Sequence, residues 1–360
     1  NGSVINLTQS SGSAQRFPKW SPDGKTIAYW SDQSGEYELW TMNATDPSSK
    51  KKMTNYGPGY RYQLFWSPDS KKLAFIDQTM QIRIFDITTG ASINVDKGLR
   101  MTHGSLMGFN PSWSPDSRWL TYNRDLENYH NAVFVFDVNQ QKLHQITSGY
   151  YECSSPVFDS EGKYIYLFTN QLFQPSYSDI DNTFIYTNST QIAAISLLKK
   201  TPSLLSPKND TVVIKSEPET IAKAKETKNK KAKENKENKE KKDSTAQKII
   251  PVEIDFDQIE SRMVVLPIAN GNFGNITSST GKIIYLKVPN TGSPNSAKMS
   301  IAYYDIEKRE EKNILDDANG FILSADGKKI LAFKGEAMAI IKPEENQKWE
   351  KPLRIGEMSM

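Results

Sequence analysis

Cysteine, histidine and long apolar runs are what this sequence is short of. Its 360 residues hold one cysteine, Cys153, and three histidines, His103, His130 and His144. A single cysteine excludes an internal disulfide framework and any multi-cysteine metal site. Cys153 stands before a Ser-Ser-Pro string and reads as a small buried residue. No run of eighteen apolar residues occurs, so no helix here is expected to span a membrane. Gly-x-Ser-x-Gly is missing, its nearest relative being Gly104-Ser105-Leu106-Met107-Gly108 at the wrong spacing. There is also no glycine-rich phosphate loop and no His-Glu-x-x-His. The sequence therefore names no catalytic residue and calls for no metal and no cofactor.

What is present is a repeat. Ser-Pro-Asp followed by Gly or Ser, with Trp in front, occurs at Trp20 to Gly24, Trp66 to Ser70 and Trp113 to Ser117, at intervals of 46 and 47 residues. Looser copies are Phe158 to Gly162, Ser278 to Gly281 and Leu323 to Gly327. The step from Asp159 to Ser278 is 119 residues where about 46 is the rule, so one of six units is interrupted.

After each copy comes Lys or Arg and a short run of aliphatic and aromatic residues, as in Thr26-Ile27-Ala28-Tyr29-Trp30, and about ten residues on a second such run. These are strands by period and by composition. With a third closing strand and the one leading into the Trp, each unit has four strands. Four-stranded units at this period predict an all-β fold, a β-propeller of four-stranded blades. Six blades are expected, at about 15–60, 61–100, 109–150, 154–270, 271–317 and 319–360, with an incomplete seven-bladed ring as the alternative. Residues 1–8 read as the last strand of a preceding or closing blade, and the start at Asn1 rather than Met suggests a piece of a longer protein.

Pro presets the turn, Asp or Ser caps backbone amides, and Gly or a small polar residue accepts the turn's end. Asp23, Asp69, Asp116 and Asp326 are accordingly turn residues rather than catalytic acids.

Net charge is +3, yet from Thr220 to Lys248 eleven Lys face four Glu and one Asp. Residues 200–250 are expected to be a flexible charged insertion in the fourth blade, since they carry no apolar stripe. No aromatics interleave with these lysines, so nucleic acid is not an expected partner.

Binding residues of a propeller belong on its inter-strand connections. Three stand out: Tyr56 to Tyr62, Gly104 to Asn110 and Phe173 to Asp179. Tyr60, Arg61 and Tyr62 would suit a peptide carboxylate with aromatic stacking, the alternative being aromatic packing between blades. His103 and His130 lie in connections where a substrate could touch them, whereas His144 reads as a strand surface residue.

The string Phe17-Pro18-Lys19-Trp20-Ser21-Pro22-Asp23-Gly24 resembles the propeller repeat of tricorn-type proteases, the periplasmic Tol-system propeller and prolyl-oligopeptidase relatives. Val252 to Pro267, an acidic strand, an Ile-Glu-x-Arg turn and a strand ending Leu-Pro, is similar to the tricorn protease homologues in particular. Tyr60-Arg61-Tyr62 before Trp66, and Ser114 to Leu120, share that likeness. The resemblance implies a propeller followed, in the same chain, by a PDZ-like module and a serine-peptidase core carrying the catalytic residues. It implies a peptide or unfolded protein substrate, gated or docked by the propeller. It also implies a periplasmic or exported location, with the cytoplasm as the alternative. The competing reading is a stand-alone interaction propeller like the Tol-system protein. A homo-oligomer is compatible with either.

Overall fold

The structure is a computed structural model and describes residues 6–8, 10, 12–100, 106–172, 174–178, 180, 182–207, 251–350 and 353. The chain divides into two units, residues 1–205 with 250–360, and residues 206–249. The second, which includes the Lys-rich segment, lies almost wholly outside the described residues.

The first unit is a β-propeller of six blades with two short 3-10 turns. Blade 1 is β1 (Gln15–Trp20), β2 (Thr26–Ser31), β3 (Glu38–Asn43) and β4 (Asp46–Lys52). Blade 2 is β5 (Phe65–Trp66), β6 (Lys72–Ile76), β7 (Gln81–Asp86) and β8 (Ser92–Lys97). Blade 3 is β9 (Ser112–Trp113), β10 (Trp119–Asp125), β11 (Asn131–Asp137) and β12 (Lys142–Gln145). In blade 4, β13 (Cys153–Phe158) and β14 (Tyr164–Thr169) are followed by a separate hairpin, β15 (Ser176–Ser178) with β16 (Thr183–Ile185). Its sheet resumes with β17 (Gln191–Ser196) and ends with β18 (Met263–Val265). Blade 5 is β19 (Asn272–Ser279), β20 (Lys282–Val288), β21 (Ser300–Asp305) and β22 (Glu310–Asp316). Among the described residues blade 6 has three strands, β23 (Gly320–Leu323), β24 (Ile330–Lys334) and β25 (Ala337–Ile341). Every pairing within the sheets is antiparallel, and all join consecutive strands except β14 with β17, which the β15–β16 hairpin separates in sequence. Of the expected terminal strand, residues 1–5 lie outside the described residues, and Leu7 and Thr8 form a bend.

The repeated turn explains the regularity. Ser21 Oγ donates to Asp23 Oδ1 at 2.6 Å and accepts from Thr26 N at 2.9 Å, while the carboxylate accepts from Lys25 N at 3.1 Å. The same three bonds recur around Ser67 and Asp69, Ser114 and Asp116, and Ser324 and Asp326. The following residue, Gly24, Ser70, Ser117 or Gly327, sits at φ 70, 59, 62 or 69, where glycine or a small polar residue is tolerated. The bond from Ser21 holds the Asp23 carboxyl below its ordinary range, and Ser324 does the same for Asp326.

Between blades, alternation puts successive residues of the inner strands on opposite sheet faces. Leu73 and Phe75 join Ala28, Trp30 and Leu39 of blade 1, while Ala74 and Ile76 join Trp113, Leu120 and Phe134 of blade 3. Blades 3 and 4, 4 and 5, and 5 and 6 share further cores of the same kind. First strands of neighbouring blades are also bonded: Trp66 Nε1 donates to Lys19 O at 3.0 Å, and Trp113 Nε1 to Phe65 O at 3.1 Å. Turns bond to turns, Asp23 N to Ser70 Oγ at 3.1 Å and Asp69 N to Ser117 Oγ at 2.9 Å. The repeat's tryptophan is therefore the wedge between first strands.

Candidate functional site

Because each blade's first strand runs into its Ser-Pro-Asp turn, the connections between second and third strands and between blades gather at the opposite end. That end carries the residues singled out in the sequence. Gly57 and Gly59, at φ 75 and 140, let the chain fold tightly before Arg61. Arg61 is turned inward and buried. Its Nη1 donates to the carbonyl oxygens of Tyr37 at 2.7 Å, Gly59 at 3.0 Å and Gly57 at 3.1 Å, and the guanidinium lies 5.2 Å from the Tyr56 ring centre. Burial pulls its pKa below the ordinary arginine value, with Glu38 opposing.

Glu38, also buried, accepts from Thr54 Oγ1 at 2.6 Å and from the backbone amides of Tyr56 and Gly57, each at 2.9 Å. Arg61 thus clamps its own loop, with Nη1 taken up by backbone carbonyl oxygens. Desolvating it and then exposing it would break those bonds. Tyr62 is half-buried against the core between blades 2 and 3.

The exposed cation at this position is Arg16 on β1, which the sequence reading passed over. Its Nε donates to Tyr37 Oη at 2.8 Å and Nη1 to Tyr60 Oη at 3.2 Å, and it lies 5.5 and 5.6 Å from the two ring centres. Bonds to Tyr60 and then Tyr37 raise its pKa above the ordinary arginine value. Tyr60 is braced edge-on by Tyr62 at 4.9 Å, Tyr37 at 5.8 Å and Phe17 at 6.4 Å. Arg16 precedes a Phe-Pro pair in the first strand, and that was the one available signal.

A second cationic and aromatic group lies at the same end. Arg100 donates to Leu126 O at 2.8 Å, pairs with Asp125 at 3.3 Å and stands 4.0 Å from the exposed Tyr129 ring centre. His130 follows. Its Nδ1 is 3.0 Å from Gly149 O and 3.1 Å from Tyr150 O, so that nitrogen carries a proton and fixes the segment bearing exposed Tyr150 and Tyr151. His103 lies outside the described residues. The structure thus keeps Tyr60 and His130 at one end, buries Arg61 and adds Arg16, Arg100 and Tyr129.

The interruption in blade 4 starts and ends at the turn end of the blades. Residues 252–257 do not form the acidic strand expected from Val-Glu-Ile-Asp-Phe-Asp. They are an extended strap with Val252 buried and Ile254 and Phe256 packed on the core between blades 3 and 4. Val252 N donates to Asp116 Oδ2 at 2.7 Å and Val252 O accepts from Trp119 Nε1 at 2.8 Å. Asp116 is therefore both turn residue and clip. His144 stacks on Phe256 at 3.6 Å, and burial lowers its pKa, so it is a packing partner of the strap.

In the 3-10 turn Ile259–Arg262, Ile259 enters the core and Glu260 accepts from Ser148 N at 2.9 Å and Ser148 Oγ at 3.0 Å. Arg262 donates to Ser196 O at 2.9 Å, Asp257 O at 2.8 Å, Leu197 O at 3.3 Å and Asp255 O. It clasps the departing and returning chain together.

Cys153 is buried beside Thr169, and burial pushes its thiol pKa up, away from the range of a nucleophile. Among the described residues no three His, Cys, Asp or Glu are grouped to hold a metal, and no helix is long and apolar enough to cross a membrane. The surface can stack on and hydrogen-bond an extended chain.

Comparison with known proteins follows the same lines. A sequence model described as the tricorn protease second beta propeller domain matches residues 1–344. The chain is 22% identical to the tricorn protease of Thermoplasma volcanium over 342 residues, covering 91% of this chain and 29% of that protein. It is 21% identical to tricorn protease homolog 1 of Streptomyces coelicolor, covering 95% and 31%. The crystal structure of the tricorn protease superposes with a TM-score of 0.67 at 16% identity, over 91% of this chain and 29% of that one. The chain thus spans under a third of the length of these relatives. A periplasmic location gains no support from them.

Proposed function

This chain belongs to the tricorn protease second β-propeller family, and from that premise we propose that it is the non-catalytic propeller of a tricorn-like serine endopeptidase. It gates or docks peptide and unfolded protein substrates for a peptidase core elsewhere in the same polypeptide. The observation that carries this reading is the match over residues 1–344 to a protease's propeller, by a chain that covers under a third of such a protease. The contact surface is the end bearing Arg16 with Tyr37 and Tyr60, and Arg100 with Tyr129. Planar cations against aromatic rings hold an extended chain by stacking and by bonds to its carbonyl oxygens, without sequence-specific pockets.

The test is peptide hydrolysis by the full-length polypeptide. One exposed cation–π contact contributes about 0.5–1 kcal/mol, so Arg16→Ala is expected to raise KM about 2- to 5-fold with kcat unchanged. An unchanged KM would remove this surface from the proposal, and a fall in kcat alone would place Arg16 in the chemistry instead.

A further inference from the structure

One connection departs from the pattern of its neighbours. Second and third strands are joined by residues 32–37, 77–80 and 126–130 in blades 1 to 3, but by residues 170–190 in blade 4. A connection of that length in a compact fold is ordinarily a functional one. Of the Phe173 to Asp179 stretch singled out in the sequence, residues 174–178 are described. They lead through β15 into β16, and the two strands form a sheet of their own. Because this hairpin joins a second strand to a third, it lies at the end that bears Arg16 and Arg100.

Tyr177 and Phe184 stand opposite each other across the hairpin, with ring centres 5.9 Å apart and edge-on, and Tyr177 Oη donates to Asn182 Oδ1 at 2.8 Å. The pair still faces water, Tyr177 being 57% and Phe184 62% exposed. A lone two-stranded hairpin is marginal in water, so a partner that covers these rings stabilises it. Its two edges differ. β15 is entered through Pro175, which has no N–H to offer. Thr183, Phe184 and Ile185 of β16 are all exposed and include neither proline nor a charged residue. Among the described residues no strand except β15 pairs with β16. An edge of this kind is a template for one more strand.

Length and charge decide which strand it takes. Three residues make an edge about 10 Å long. A second copy or a folded domain needs about 1,200–2,000 Å² of buried surface for a stable interface, which so short an edge does not supply. A short extended peptide needs no such area, because weak and reversible capture suits a chain that must move on. The two strands carry no charge, so they select main chain and apolar side chains rather than a charged group.

We propose that the free edge of β16 captures an extended, uncharged stretch of peptide by strand addition. The peptide's main chain bonds to that of Thr183–Ile185. Its residue opposite Phe184 packs on the Tyr177 and Phe184 rings, which favours a large apolar or aromatic side chain there. This names the substrate class of the docking surface and rests on the peptide-docking role proposed above.

The test is binding of a defined probe to the full-length polypeptide, treated with a fluorophosphonate so that the probe is not consumed. The probe is a dye-labelled Thr-Val-Thr-Phe-Thr-Val-Thr peptide, blocked at both ends and followed by fluorescence anisotropy. Phe184→Ala is expected to raise Kd about 2- to 5-fold, and replacement of residues 174–186 by Gly-Ser-Gly about 10-fold or more. Two probes N-methylated on complementary sets of alternate amides separate pairing from stacking: one keeps its affinity and the other loses about 10-fold or more. Equal binding of both methylated probes overturns the proposal. So does a hairpin replacement that changes the oligomeric state but not Kd. If Kd is unchanged on hairpin replacement while Arg16→Ala still raises KM, the hairpin site falls and the docking role stands. If neither changes, both fall.

Discussion

Arg262 offers the sharpest perturbation of the interrupted blade. Its guanidinium bonds four backbone carbonyl oxygens, two leaving β17 at Ser196 and Leu197 and two returning at Asp255 and Asp257. Removing it unties the base of a segment that begins and ends within one sheet. Hydrogen bonds to a charged group contribute about 1.5–3 kcal/mol each, but the four share one donor and some carbonyls regain water. The expected loss for Arg262→Ala is about 2–4 kcal/mol rather than the sum. For a chain of this size a kcal/mol corresponds to about 1.5 °C, so Tm falls by about 3–6 °C. Arg262→Lys recovers less than half, because a point charge cannot span four acceptors. The assay is thermal unfolding followed by circular dichroism and by tryptophan fluorescence, Trp119 being bonded to the returning strap. A Tm for Arg262→Ala within about 1 °C of wild type would refute the clasp.

Replacing residues 208–249 by a short flexible linker leaves the clasp intact. Shortening the loop is expected to raise stability by at most about 2 kcal/mol, and a clear loss in a thermal melt would show that the segment packs. Asp116→Ala removes a turn bond set and the bond from Val252, whereas Asp326→Ala removes the turn set alone. Asp116→Ala should therefore cost about 1 kcal/mol more by urea unfolding, and equal costs would dismiss the second role. Asp159 is buried, and burial raises its carboxyl pKa. Its stabilising contribution is full below the ordinary aspartate value and is lost as pH rises through the folded value. Asp159→Asn is thus expected to raise Tm at pH 7 and to lose that advantage toward pH 4. An advantage that grows on acidification would contradict the sign.

The propeller was legible because its signal is local. Ser, Asp and a left-handed residue satisfy one another within six positions, so the turn survives whatever surrounds it. The gap in the rhythm located the interruption in blade 4 for the same reason. The inward turn of Arg61 was not legible because Tyr37 and Glu38, which it faces, lie more than twenty residues away, and only packing brings them to it. Val252 to Asp257 was read as a strand because strap and strand alternate apolar and polar residues alike. No neighbouring backbone lies alongside to make a ladder, and Asp255 N bonding Leu197 O is an isolated contact. The Ile-Glu-Ser-Arg string was visible, but its clasp on Ser196, 66 residues earlier, was not. Trp20 shows the converse: the repeat motif is intact there, yet among the described residues the junction it serves elsewhere is not made.

The central claim is that this propeller binds substrate for a peptidase site lying elsewhere in its polypeptide. The most direct measurement is to treat the full-length polypeptide with a fluorophosphonate, which labels activated serines, and to map the modified residue by mass spectrometry. A single labelled serine outside residues 1–360 is expected, with hydrolysis lost on labelling. A labelled serine within residues 1–360, accompanied by the same loss of activity, would contradict it.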